Sequence, residues 1–155
     1  MEQRVWEQVL GLTELKVLIV DDQPDMLRLL RGILLSFGVK SVEEARDGEE
    51  ALFLLKHRHP NFVITDWEME PMDGYTFAFH TRNIRHGEDA TVPIIMMSAH
   101  AEPTRIKAAR KLGVAQFLLK PIVPHHLHQR MLWVLDHPIH YVQQGEQFVP
   151  VDGDQ

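Results

Sequence analysis

Residues 16–22 read KVLIVDD: a lysine, four apolar side chains in a row, then two carboxylates. Four apolar residues without alternation describe a strand covered on both faces, and such strands belong to parallel sheets. Three more runs have the same character: Phe62–Thr65, Ile94–Met97 and Phe117–Leu119. Ser41–Glu44 is a more polar fifth candidate, suited to an edge. Helical patterns fill the gaps. Met26, Leu30, Ile33 and Phe37 share one helix face, with Pro24 at the start and Gly38 at the stop. Asp47 and Glu50 form a capping-box pattern ahead of Ala51, Leu52 and Leu55, and His59-Pro60 ends that helix. A third helix is predicted from Gly74 to about Arg85, carrying Phe77 and Ile84. A fourth starts at Pro103 and turns Ile106, Ala109 and Leu112 inward. A fifth presents Leu127, Met131, Val134 and Leu135 before His137-Pro138. Five β-α units between Lys16 and about Asp136 predict an α/β, doubly wound sheet.

Composition narrows the function. The 155 residues suit one domain, and the absence of cysteine excludes disulfides, thiolate metal sites and cysteine nucleophiles. The formal charge of −6, with no clustered basic stripe, argues against nucleic-acid binding. No apolar run approaches a membrane span, and residues 1–12 lack the apolar core of a signal peptide, so a cytoplasmic protein is expected. We divide the chain into an extension at 1–15, with a short helix through Val5, Trp6, Val9 and Leu10, a domain at 16–137, and a polar, irregular tail at 138–155.

In open α/β sheets, ligands bind outside the carboxyl ends of the strands. Asp21 and Asp22 follow the first strand, Asp66 ends the third, Ser98 ends the fourth, and Lys120-Pro121 follows the fifth. Three acids, a hydroxyl and an ammonium thus share one rim. Two unit charges about 4 Å apart repel by roughly 4 kcal/mol at an effective dielectric of 20, so the acids require a cation. Mg2+ suits a few carboxylates with retained waters, and it neutralises charge on a phosphoryl group in transfer. Asp66 offers a carboxylate nucleophile, Lys120 a point charge and Ser98 a hydroxyl. Singly these residues signify little, since adjacent acids after a strand are commonly a solvated turn. Their coincidence at the ends of successive strands is the signal.

The stretches KVLIVDDQPDMLRLL, EARDGEEAL, FVITDWEMEPMDG, VPIIMMSAHA and GVAQFLLKPI together resemble the receiver domains of two-component response regulators, the CheY-like superfamily, over about Lys16 to Asp136. The resemblance implies a flavodoxin-like three-layer sandwich with strand order 2-1-3-4-5. It implies phosphorylation of Asp66, with Mg2+ held by Asp22, by Asp21 through water, by Asp66 and by the backbone carbonyl of Glu68. Lys120 and Ser98 would contact the phosphoryl oxygens, and Phe117 would be the aromatic switch. Glu68 and His100 would tune the phosphoryl lifetime, and Lys120–Pro121 would be cis. The implied donor is a sensor histidine kinase or a histidine phosphotransfer protein. The implied output is the surface of the fourth helix, fifth strand and fifth helix, on a monomer or weak homodimer that binds a downstream protein rather than nucleic acid or membrane. Self-catalysed phosphotransfer and autodephosphorylation are the only chemistry expected. The chain departs from the common pattern at Glu70-Pro71, where the family often has proline one position earlier.

Two other classes compete. An aspartate-nucleophile phosphatase would carry its nucleophile at the first strand in an Asp-x-Asp pattern, whereas this strand ends Asp-Asp and no cap domain accompanies it. A non-phosphorylated interaction module of the same fold would not bind Mg2+ at the acids. His125, His126 and His128 raise a transition-metal site, against the simpler reading of a solvated helix face. Trp67 is expected partly exposed at the rim, and Met69 and Met72 are expected under the loop after Asp66.

Overall fold

The computed structural model describes residues 11–151. The expected helix through Val5–Leu10 lies outside these residues; residues 11–14 are helical, and Leu12 and Leu15 are buried in the core. Strands β1 (Lys16–Val20), β2 (Ser41–Ala45), β3 (Phe62–Asp66), β4 (Ile94–Ser98) and β5 (Val114–Leu119) form one all-parallel sheet in the order β2-β1-β3-β4-β5. Val17–Val20 are fully buried, as an unalternating apolar run requires. Successive residues point to opposite faces. Val17 and Ile19 therefore pack with α1 (Pro24–Ser36) and α5 (Pro124–Asp136), through Leu30, Leu34, Leu127 and Met131. Leu18 and Val20 pack with α2 (Gly48–Arg58), α3 (Gly74–Thr81) and α4 (Pro103–Lys111), through Leu55, Phe77 and Ala109. Each fully buried valine, leucine, isoleucine, phenylalanine or methionine among them stabilises the fold by about 1.5–3 kcal/mol.

Local signals hold in part. Asp47 caps α2, its Oδ1 accepting from the backbone N–H of Glu49 (2.7 Å) and Glu50 (3.1 Å). Glu50 reaches back to the N–H of Arg46, one residue before the usual capping-box partner. His59 ends α2 in the left-handed region at φ 52°. On α1 the buried stripe is Leu27, Leu30, Ile33 and Leu34, while Met26 and Phe37 lie half-buried at its margin. So many leucines flank that stripe that several faces fit the spacing, and docking on the sheet selects one.

Two expectations are corrected. Helix α3 stops at Thr81 rather than near Arg85, and a 3-10 segment follows at Ile84–Thr91. The residues expected to be an irregular tail form an antiparallel hairpin, β6 (Tyr141–Gln144) and β7 (Gln147–Pro150), turning at Gly145. The two corrections have one cause. The hairpin takes the backbone groups that α3 would need to continue: Ile84 N–H donates to the Glu146 carbonyl (2.9 Å), and the Arg82 carbonyl accepts from Phe148 N–H (2.8 Å). Between them Arg82 turns inward and is fully buried. Its guanidinium donates to the carbonyls of Leu112 (2.8 Å), Ala90 (2.9 Å), Val92 (2.8 Å) and Gly113 (3.1 Å). The Tyr141 ring lies 5.0 Å away, and its hydroxyl donates to the Gly113 carbonyl (3.2 Å). Burial pushes the guanidinium pKa down, yet carbonyl dipoles and a π face solvate the charge, with no carboxylate paired to it among the described residues. Gly113 has φ +77°, and a Cβ there would overlap the Tyr141 hydroxyl.

Arg82→Met removes the donor for four buried carbonyls, and we expect a loss of about 3 kcal/mol or more in urea denaturation. Tyr141→Phe removes one hydrogen bond and keeps the ring, and should cost about 1 kcal/mol. Comparable losses for the two variants would refute the assignment of Arg82 as the main brace.

Candidate functional site

Asp21, Asp22, Asp66, Ser98 and Lys120 stand at or just past the carboxyl ends of β1, β3, β4 and β5. The register Val20↔Thr65 sets the following residues, Asp21 and Asp66, side by side. Asp21 is held by its N–H donating to the Ala45 carbonyl (3.0 Å), which prolongs the β1–β2 pairing past the strand. Its Oδ1 accepts from Gln23 N–H (3.0 Å), a turn that leads into Pro24 and α1. Asp21 is fully buried and Asp22 exposed. Asp66 is buried, and Trp67 N–H beside it donates to the Met97 carbonyl (2.8 Å). Gly74 N–H donates to the Trp67 carbonyl (2.9 Å), and a Cβ on Gly74 would overlap the Asp66 carbonyl oxygen, so only glycine lets α3 start this close to the strand. Lys120 N–H donates to the Ser98 carbonyl (2.8 Å), which ties the lysine to the end of β4.

The acids converge: Asp21, Asp22 and Asp66 each offer a carboxylate oxygen, all within 4.8 Å of one another. Lys120 Nζ stands 3.2 Å from Asp21 Oδ2 and 3.2 Å from Asp66 Oδ1. Burial opposes its charge, but Asp66 and Asp21 outweigh burial and hold its pKa above the ordinary lysine value. Burial, then repulsion from Asp21, pushes Asp66 up from 3.8 to about 6 despite Lys120. One ammonium against three carboxylates leaves two negative charges in excess. Asp66 Oδ1 is buried and receives no hydrogen bond of good geometry, although Lys120 lies within ion-pair distance. The donor set fits a hard dication, with oxygen ligands only and an acceptor oxygen left unsatisfied.

Ser98 is fully buried at the same rim, but its hydroxyl is engaged elsewhere. It donates to Glu68 Oε2 (2.7 Å) and accepts from Arg105 Nη1 (2.8 Å) and His100 N–H (2.9 Å). Arg105 also pairs with Glu68. Burial raises the Glu68 pKa, and the hydrogen bonds from Arg105 and Ser98 overcome this and hold the carboxyl below its usual range. The His100 ring is exposed, 4.0 Å from Glu102. Trp67 is a correction: it is buried rather than at the rim, with Arg105 over its ring (4.1 Å), Tyr75 stacked (5.4 Å) and Phe117 at 6.1 Å. Phe117 is half-buried, Met69 is buried as expected, and Met72 lies half-buried against Gly48.

Arg105 was not among the expected residues. A cation two residues after the Pro103 start of α4 opposes the helix dipole, which signals a local anionic partner. The bonds at Glu70–Pro71 and Lys120–Pro121 are both cis, the second as the resemblance implied. Among the described residues the three aspartates are the group whose ligand atoms converge. The histidines at 125, 126 and 128 do not converge, and His128 packs on Phe37 (4.6 Å). No helix among the described residues is long and apolar enough to cross a membrane.

Residues 17–132 match the response regulator receiver domain family. The chain is 35% identical over 118 residues to chemotaxis protein CheY-3 of Vibrio cholerae, covering 76% of this chain and 88% of that protein. It is 35% identical to the probable transcriptional regulator ycf27 of Porphyridium aerugineum, covering 77% of this chain and 48% of that protein. Among solved structures, a putative response regulator from Chloroflexus aurantiacus superposes with a TM-score of 0.72 at 31% identity, covering 79% of this chain and 98% of that one. CheY in the CheX-CheY-BeF3-Mg complex of Borrelia burgdorferi gives 0.70 at 30% identity, covering 77% and 88%. Sequence, strand order and acid pocket agree: the chain belongs to the response regulator receiver domain family of two-component signalling, and is CheY-like.

Proposed function

We propose that this chain is a phosphoacceptor switch whose Asp66 receives a phosphoryl group, with Mg2+, from a phosphohistidine on a sensor kinase or a histidine phosphotransfer protein. The observation that carries this reading is the meeting of Lys120 Nζ with Asp66 Oδ1 and Asp21 Oδ2, each at 3.2 Å, beside the three converging carboxylates. The pairing of BeF3 and Mg with the similar Borrelia protein supports it. The step balances simply. An Asp66 carboxylate oxygen attacks phosphorus, the P–N bond to the donor imidazole breaks, and the leaving nitrogen takes the electron pair and then a proton. Asp22, Asp21, Asp66 and the Glu68 carbonyl would hold Mg2+, which when bound neutralises charge on the phosphoryl oxygens. Lys120 orients one phosphoryl oxygen and Ser98, once free, another.

The downstream contact we assign to the face of α4, β5 and α5, where Phe117 lies beside Trp67 and where Ser98 connects to α4 through Arg105. The partner is a protein, the setting cytoplasmic, and the protomer a monomer or weak homodimer. The unit of function runs over 16–137. Glu68 and His100, flanking Ser98, set the phosphoryl lifetime together with self-catalysed dephosphorylation.

Incubation with acetyl phosphate and Mg2+, followed by intact mass measurement, should give one labile phosphoryl adduct on the wild type and none on Asp66→Asn. Lys120→Met should slow adduct formation by about a hundredfold, the usual effect of deleting one preorganised charge or donor. A wild type that stays unmodified would defeat the reading.

The folded state binds the Asp66 proton more tightly than the unfolded chain, so this group's contribution to stability falls as pH rises from about 4 to about 6 and the penalty is complete above that. At pH 7 with chelator, Asp66→Asn should therefore be more stable than wild type by about 2 kcal/mol, and the advantage should shrink towards pH 4. Added Mg2+ should stabilise the wild type more than the variant in thermal melts. An Asp66→Asn protein less stable than wild type at pH 7 in chelator would contradict the charge excess.

A further inference from the structure

We propose that Glu68 and Arg105 form a lock on the Ser98 hydroxyl, one that an anionic phosphoryl group at Asp66 must open; both act as positioning residues for the switch. This rests on the phosphoacceptor reading above.

A serine hydroxyl carries one hydrogen and two lone pairs. All three are taken here. A carboxylate only accepts, so the Ser98 hydrogen lies towards Glu68 Oε2 at 2.7 Å. A guanidinium and a backbone N–H only donate, so Arg105 Nη1 (2.8 Å) and His100 N–H (2.9 Å) occupy the lone pairs. The directions follow from donor chemistry alone. Ser98 is fully buried, so its hydroxyl has no exposure through which solvent can take over these bonds. With its single hydrogen given to Glu68, Ser98 has none to give a phosphoryl oxygen. The two acceptors compete for one proton.

The competition is selective for charge. An aspartyl phosphate carries up to about two negative charges on its phosphoryl oxygens, in place of the single charge of the carboxylate, and sets them beyond the Asp66 oxygen on the side of the rim. The Glu68 carboxylate, whose charge already disfavours ionised Asp66, is repelled and gives up the hydrogen. A neutral occupant of the pocket exerts no such force. Arg105 holds the lock together, since it donates to Ser98 and pairs with Glu68. It stands 4.1 Å over the Trp67 ring, and Trp67 in turn lies against Tyr75 and Phe117. Opening the lock therefore releases a contact between the loop after β3 and α4, directly beside the aromatic side chain of β5.

The test is a double-mutant cycle read with beryllofluoride and Mg2+, in the 155-residue chain carrying Trp6→Phe and Trp133→Phe so that emission reports Trp67. Glu68→Ala should tighten beryllofluoride binding by about tenfold, the scale of one charge-assisted hydrogen bond. In a Ser98→Ala background the same change should have little effect, under about twofold. Tightening of equal size in both backgrounds would mean that Glu68 acts only as a nearby charge, and would overturn the lock. A parent protein that binds no beryllofluoride would overturn the phosphoacceptor reading, and the lock with it.

Discussion

The site is organised by an imbalance the sheet imposes: three carboxylates meet one ammonium at the end of adjacent strands. The β1–β3 register at Val20↔Thr65 sets Asp21 and Asp66 side by side, and the bonds from Asp21 N–H to Ala45 and from Trp67 N–H to Met97 fix the backbone there to the flanking strands β2 and β4. Repulsion of several kcal/mol between close like charges is thereby built into the folded state. The raised Asp66 pKa reflects burial first and that repulsion second. A protein that retains such a penalty has a site matched to a cation and to the chemistry a cation supports.

Much of this was legible in the chain. The unalternating run Val17–Val20 marked a doubly covered strand, and the β-α alternation fixed where its carboxyl end, and so Asp21, would lie. Asp66, Ser98 and Lys120 were legible for the same reason: each follows an apolar run, and strand ends in this architecture share one rim. Partners chosen across the tertiary structure were not legible. The Arg105–Glu68 pairing joins residues 37 apart and depends on how α4 sits over the loop after β3. The end of α3 depends on a hairpin more than 55 residues later, whose backbone competes for the groups of Arg82 and Ile84. Trp67 reads as a rim residue because it follows Asp66 at the strand end; it is buried because Arg105 and Tyr75 cover it. Local propensity carries no record of such competition.

Two arginines show how differently one side chain is used at the two ends of the sheet. Near the starts of β4 and β5, Arg82 is fully buried and its guanidinium donates to four backbone carbonyls, groups that belong to the scaffold itself. At the carboxyl rim, Arg105 is partly exposed and binds a carboxylate, a hydroxyl and a π face, each of which can be exchanged. The first arrangement fixes the scaffold; the second is where added charge finds something to displace.

The elements joined to that rim are also the more loosely held. Helix α4 buries only Ala109 fully, and three central residues of β5, Ala115, Gln116 and Phe117, stay half-exposed, whereas β3 and β4 are buried throughout. Local opening favours segments with little buried apolar contact. Under the proposed reading, a charge added at Asp66 acts on a central strand buried throughout, and the Ser98–Arg105 contact joins that strand to a helix in which Ala109 is the one buried residue. Unequal packing would then give such a switch its direction: β1 and β3 lie in the full core, whereas Arg105 leads to a more lightly packed helix.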